Sequence, residues 1–332
     1  MQIQKPRQGY KLVKLGYSQL AEIPIDWEVT KINTISKIVS GTGFPLQYQK
    51  GDIGEILFIK VSDMNLPENI LYIKKTNNSV SKETAKSINA RLCPANTIIF
   101  PKIGATIYTH KRAMLSKESC FDNNVMGLIP QKIEPFFLFY LLSQIRLENF
   151  SQTTALPYLD DSIVGNIKIP TCELVEEQKI ASILSNVDSL IQQTQKEIEQ
   201  TQRLKKGLMQ RLLTKGIGHN RFKKVKWLFE KNIEIPEYWK RATVSEIFQL
   251  RTGGTPSRSR PEYFSGDIPW VTSTDLNRGT ITQTLEKITV EAKEKTRLKI
   301  FPKGTFVIAT YGLEAAGTRG KCGILAFNAT IN

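Results

Sequence analysis

The chain has 332 residues, 40% of them hydrophobic and 9% aromatic, which suits about two packed domains. Lys and Arg outnumber Asp and Glu by 46 to 31, for a net charge of +15 and a pI near 9.5, so the expected partner is a polyanion, nucleic acid before a membrane surface. No apolar run reaches the ~18 residues that cross a bilayer, and no apolar stretch follows the basic N-terminal residues as it would in a secretory signal. Cys93, Cys120, Cys172 and Cys322 are scattered without a Cys-x-x-Cys pair, and His110 and His219 are the only histidines. Neither a metal site nor a disulfide framework is indicated, and a reducing cytoplasm is the expected location. The bland alternative for the charge is solubility alone.

In chain order, Tyr10 to Trp27 ends in "IPIDW", with Trp27 expected as a core anchor. Gly41-Thr42-Gly43 is too short for a dinucleotide fingerprint, and the Phe44-Pro45 that follows opposes a helix start. The pattern predicts strands over Glu55–Val61, Asn96–Phe100 and Gly165–Ile169, and a helix over Pro135–Leu147. From Glu173 to Lys215 the apolar spacing becomes that of a long helix. Leu184, Val187, Ile191, Thr194, Ile198, Thr201, Lys205, Leu208 and Leu212 alternate steps of three and four, the seam of a helix that packs along another helix. Thr171 is the expected N-terminal cap, Glu173, Glu176 and Glu177 suit the positive end of the dipole, and Gly216 and Gly218 stop the helix. At ~1.5 Å per residue the rod is roughly 60 Å long. A strut between domains fits that length better than a core helix of one domain, because ordinary globular helices run ~8–20 residues.

Beyond the helix the chain repeats itself. At an offset of 212, Lys11, Val13, Lys14, Glu22, Ile23, Pro24 and Trp27 recur as Lys223, Val225, Lys226, Glu234, Ile235, Pro236 and Trp239, and later Ile35, Asp63 and Asn65 recur as Ile247, Asp275 and Asn277. Ser40–Pro45 answers Arg251–Pro256, and Gly51-Asp52-Ile53 answers Gly266-Asp267-Ile268 with small gaps. At an offset of 208, Pro94, Thr97, Gly104 and Asn124 match Pro302, Thr305, Gly312 and Asn332. The fold class expected is therefore α+β: globular segments joined by a long coiled-coil-type helix, an internal duplication whose second half is incomplete, since Asn332 answers only Asn124. The expected divisions are residues 1–170, a spacer helix over 171–217, and residues 218–332.

These residues resemble the specificity subunit of a type I restriction–modification system. The resemblance rests on "IPIDW" and "IPEYW" opening each unit, on the Gly254-Thr255-Pro256 turn, on "PFFLFYLL" (Pro135 to Leu142), and on "IKIPTCELVEEQKIASILSNVDSLI" (Ile167 to Ile191). It implies two target-recognition domains, each reading half of a split sequence in double-stranded DNA, held apart by two antiparallel helices. It also implies methyltransferase and restriction subunits as partners and no cofactor bound to this chain; the lack of a long apolar run adds the expectation of no membrane partner. DNA repeats every ~34 Å, so two readers need a rigid ruler to meet their half-sites in phase. Against that pattern the chain reads as C-terminally truncated, and a second copy of itself is one candidate to fill the vacant seam of Leu184, Val187, Ile191, Ile198, Leu208 and Leu212.

Arg to guanine and Asn or Gln to adenine are the favoured bidentate contacts, with Lys and Arg on phosphates. The expected DNA-facing positions in the first unit are Lys60, Ser62, Asp63 and Asn65, with Lys102, Lys111 and Arg112 around Gly104. In the second unit they are Arg251, Arg258 and Arg260 around the Gly-Gly-Thr-Pro turn, then Thr272, Ser273, Thr274 and Asp275, and Arg319 with Lys321. Solvated surface charge is the alternative for any one of them. No Walker motif, Gly-rich cofactor loop, adenine-methyltransferase motif or paired nuclease carboxylates stand in the sequence, so the expected role is a non-enzymatic reader. Two other readings stay open: an inactive or silent fragment serving as a recombination reservoir, and a coiled-coil protein that only sequesters methyltransferase subunits.

Overall fold

The computed structural model describes residues 6–15, 19–49, 54–151, 157–226, 232–276, 279–310 and 320–332. It divides into two units, Met1–Met209 and Gln210–Asn332. Among the described residues no helix is long and apolar enough to cross a membrane, and no cluster of three or more His, Cys, Asp or Glu is placed to hold a metal ion.

In the first unit, the β-branched run at Ile98–Pro101 forms a strand buried along its whole length. It lies in a five-stranded sheet ordered Ser36–Ser40, Val125–Pro130, Ile98–Pro101, Ala113–Leu115 and Tyr72–Ile73. All neighbours are antiparallel except the last pair. A second sheet places Ile56–Ile59 between the parallel strand Ser119–Phe121 and the antiparallel strand Ser79–Val80. The short helices are α1 (Ile32–Ile35), α2 (Lys82–Ser87), α3 (Pro135–Gln144) and α4 (Asp161–Gly165). Proline at the first turn of α3 and the Glu134 carboxylate, which accepts the Phe137 N–H, start that helix where the aromatic run begins. Phe137, Leu138, Phe139 and Leu142 then pack with Ile32, Ile35, Val164, Ile167 and Ile169 in the main core, and Trp27 meets Phe137 edge-on at 5.9 Å.

The helix expected from Pro135 ends at Gln144, because Ile145 is extended, and Leu147–Phe150 forms a separate 3-10 turn. The strand expected from Gly165 begins at Lys168 instead, because Asp160 accepts the Ile163 N–H and caps α4 across that stretch. It pairs antiparallel with Glu28–Lys31, so Thr171 ends a strand and does not cap the long helix α5, which runs from Leu174 to Lys215. Gly216 and Gly218 follow α5 with φ of +66° and +74°, conformations that cost glycine little.

The second unit repeats the first. Ile268–Val271 lies between the parallel strand Thr330–Ile331 and the antiparallel strand Glu286–Ile288, as Ile56–Ile59 does in its own sheet. Thr280–Ile281, Cys322–Leu325 and Phe306–Ile308 repeat one edge of the five-stranded sheet. The short helices α6 (Val244–Ile247) and α7 (Val290–Lys295) answer α1 and α2, and Thr289 caps α7 as Ser81 caps α2. The counterpart of Gly266-Asp267-Ile268 is corrected to Gly54-Glu55-Ile56. Ile56 opposes Val80 as Ile268 opposes Ile288, and a Cβ on Gly54 or Gly266 would collide with the carbonyl of the same opposing residue. Gly51-Asp52-Ile53 lies outside the described residues.

One difference is large. Ile32 and Ile35 are 0% and 6% exposed, whereas their counterparts Val244 and Ile247 are 60% and 64% exposed. Lys240–Thr243, the counterpart of the strand Glu28–Lys31, forms no strand, and Trp239 rests edge-on to His219 instead of on an apolar helix.

Burial pushes the Cys93 thiol up to about 11 and the Cys120 thiol up to about 12. At pH 8 about a thousandth or less of either is thiolate. Dithionitrobenzoate titration should therefore find both unreactive in the native protein and both reactive in guanidinium.

Candidate nucleic-acid interface

In each unit a buried strand delivers the chain into a loop held by one aspartate. Asp63 follows Ile56–Ile59 and is 0% exposed; its Oδ2 accepts the Lys60 N–H at 2.8 Å, and its Oδ1 accepts the Asn77 N–H at 3.0 Å and the Asn77 side-chain amide at 2.7 Å. Asp275 follows Ile268–Val271; its Oδ2 accepts the Thr272 N–H at 2.7 Å and its Oδ1 accepts the Leu285 N–H at 2.9 Å. The partners correspond at the offsets of the repeat. Neither aspartate is free for a ligand, since each fastens its loop from within.

What the two loops present differs. The first exposes Ser62 and Asn65, with Lys60 half-buried, its Nζ on the Gln49 amide oxygen and 5.5 Å from the Phe44 ring centroid. The second exposes Ser273 and Thr274, while Thr272 is buried with its hydroxyl 2.9 Å from Asp275. One scaffold thus carries a cationic and amide-bearing loop in one unit and a hydroxyl-rich loop in the other.

The remaining expected positions divide into those exposed and those engaged in packing. Lys102 donates to Ser40 Oγ at 2.9 Å, Ser40 donates to Asp161 Oδ1 at 2.9 Å, and this relay edges a cleft of about 640 Å3 that Tyr158 and Asp160 also line. Lys111 is half-exposed. Arg112 turns inward, with Nη2 on the Ile145 carbonyl at 3.2 Å and the guanidinium 5.6 Å from the Phe100 ring centroid; burial lowers its pKa to about 10. Arg251 and Arg260 are exposed, and Arg260 donates to the Tyr263 hydroxyl at 2.9 Å. Arg258 is bidentate to Glu286, with Nη2 to Oε2 at 2.8 Å, and lies over the rings of Phe264 and Trp270 at 4.4 and 5.1 Å. Lys321 is half-exposed, and Arg319 lies outside the described residues. The roles of Glu286, Ser40 and Asp161 carry no local signal, because each meets its partner across a wide stretch of sequence.

On α5 the seam residues Leu184, Val187, Ile191, Ile198, Leu208 and Leu212 are between 38% and 61% exposed. A second apolar row of Ile183, Leu190 and Leu204 runs beside them and is more exposed still. Charge along the helix is polarised. Glu176, Glu177, Asp188, Glu197 and Glu199 stand in its first part against Lys179 and Lys196, while its last part, Arg203 to Lys215, holds five basic residues and no acidic one.

The sequence pattern described as the type I restriction modification DNA specificity domain matches residues 24–200 and again 236–330, and the two matches begin at the offset of the repeat. The chain is similar to the putative type I restriction enzyme MjaX specificity subunit of Methanocaldococcus jannaschii, 30% identical over 279 residues that cover 80% of this chain and 63% of that protein. It is also similar to the type I restriction enzyme MjaVIII specificity subunit of the same organism, 28% identical over 240 residues, 70% of this chain and 51% of that protein. The chain spans between about half and two thirds of the length of these relatives. A crystal structure of a type I restriction-modification system S subunit from M. genitalium aligns over 92% of this chain and 71% of that chain, at 16% identity and a TM-score of 0.49.

Proposed function

Because the chain belongs to the type I restriction–modification DNA specificity family, we propose that it is a non-catalytic reader of double-stranded DNA that directs separate methyltransferase and restriction subunits to a split target sequence. The observation that carries this reading is the doubled loop scaffold: Asp63 and Asp275 fasten equivalent loops whose exposed side chains differ. Two copies of one frame with different side chains suit two half-sites of different sequence, because base edges are read by side-chain chemistry while phosphates take the general charge. Asn65 is suited to adenine, and Lys60, Lys102, Lys111, Arg251 and Lys321 to phosphates. Arg112 is engaged in the core and Arg258 with Glu286, so neither carries direct readout in this proposal.

The partners follow from α5. Its seam fits one partner helix and the row of Ile183, Leu190 and Leu204 another, so the helix suits a methyltransferase subunit as well as a second spacer helix. A second copy of this chain lying antiparallel would set the acidic part of one α5 against the basic part of the other. S-adenosylmethionine and ATP belong to the partner subunits in this reading, and the restriction subunit is assigned by the family alone.

Co-expression with a cognate methyltransferase subunit should produce adenine methylation at one defined bipartite or palindromic motif in a genome-wide map. Asn65→Ala should relax one half of that motif, and Ser273→Ala with Thr274→Ala the other. Methyltransferase binding without any new motif would leave the chain a sequestering protein and defeat the reader proposal.

A further inference from the structure

We infer that two hydrogen bonds between α3 and α5 act as a clamp that sets the direction in which the spacer helix leaves the first unit, with Glu177 and Asp188 as positioning residues. Glu177 is 3% exposed, and its Oε2 accepts the Glu134 N–H at 2.9 Å, where α3 begins. A carboxylate there meets backbone N–H groups that lack helical partners and the positive end of the α3 dipole. Eleven residues further along α5, Asp188 Oδ2 accepts the Tyr140 hydroxyl proton at 2.8 Å. Eleven residues make about three helical turns, so both carboxylates lie on one face of α5. Ala181 lies between them, 4% exposed and small enough for close approach, with Ile180 packed on the core beside it. Burial, then the Asp188 acceptor, hold the Tyr140 phenol above its ordinary range, so it stays a donor.

The clamp is also the last hold on the rod. From Ser189 to Met209 every residue except the half-buried Gln192 is exposed, so among the described residues of the first unit the Tyr140–Asp188 bond is the last side-chain hydrogen bond that ties α5 to the globular part. The remaining helix extends roughly 40 Å. A swing of about 5° at the clamp moves its far end by about 3.5 Å, one base-pair step. The consequence for DNA rests on the reader proposal: the clamp would fix which spacing between half-sites is accepted, while the loops fix their sequence.

The test uses the full chain with spin labels carried on p-acetylphenylalanine in place of exposed Ser87 on α2 and Gln200 on α5. Double electron–electron resonance should give one narrow distance distribution. Tyr140→Phe and Glu177→Ala should at least double its width. Asp188→Asn and Glu177→Gln, which keep a carbonyl acceptor, should restore the narrow distribution. If Glu177→Ala fails to fold, Tyr140→Phe decides alone. Unchanged widths in the variants lacking the bond overturn the clamp, whatever the methylation pattern. In cells, Tyr140→Phe should keep both half-motifs but spread methylation over spacers one base pair longer and shorter. Broadened distances in a protein that methylates no motif would uphold the clamp and defeat the reader proposal instead.

Discussion

Replacing Asp63 with alanine should destabilise the first unit by about 3 kcal/mol, because three partly solvated N–H donors lose their acceptor at once and each costs about 1 kcal/mol, the low end of the range for an unsatisfied group. Those donors are the Lys60 and Asn77 backbone N–H groups and the Asn77 side-chain amide. Asparagine at the same place keeps one carbonyl and should cost about half as much. The loop bearing Ser62 and Asn65 would lose its shape before the strand Ile56–Ile59 melts, so DNA affinity should fall more steeply than stability. Urea unfolding followed by circular dichroism measures the first effect and half-site binding the second. A shift under about 1 kcal/mol would show that Asp63 is not the fastener of this loop. Asp275 is less buried, and one of its three donors is the Thr272 hydroxyl, which can turn to another acceptor, so Asp275→Ala should have a smaller effect in the second unit.

Introducing lysine into the α5 seam should have the opposite signature. Ile191→Lys or Leu208→Lys should leave the unfolding of both units unchanged, since both side chains are exposed in the single chain. Association through the seam should weaken by about 3 kcal/mol per substituted helix, on the order of a hundredfold in Kd, because an ammonium group buried against an apolar partner has no acceptor there. Analytical ultracentrifugation reports the self-association and pull-down with a methyltransferase subunit reports the other. Unchanged assembly in both measurements would mean that the seam is not a binding surface.

The long helix was legible because its signal is periodic and local: three-four steps sustained over several heptads need no knowledge of the rest of the fold. The duplication was legible for the same reason at a longer period, through Trp27 with Trp239 and Asp63 with Asp275. What those aspartates do was not. Their repetition reads equally as a ligand site or as a fastener, and only the hydrogen bonds that each accepts within its own loop, from the Lys60 and Thr272 N–H groups, separate the two. Arg258 and Arg112 misled for a related reason. A guanidinium near a glycine turn suggests a phosphate contact, but Glu286 and the Ile145 carbonyl reach them across distances in sequence that no local pattern encodes. The start of the last strand before α5 was displaced because the Asp160 cap turns a stretch with strand-like composition into a short helix.

The uncovered α6 face has a consequence for how this molecule can be measured. The chain holds the same design twice, once with its small first helix sealed beneath aromatic side chains and once with it open. Each molecule therefore contains its own reference state. Burying side chains the size of Val244 and Ile247 contributes roughly 1.5–3 kcal/mol apiece, so amides around α1 should exchange more slowly than those around α6 within one sample.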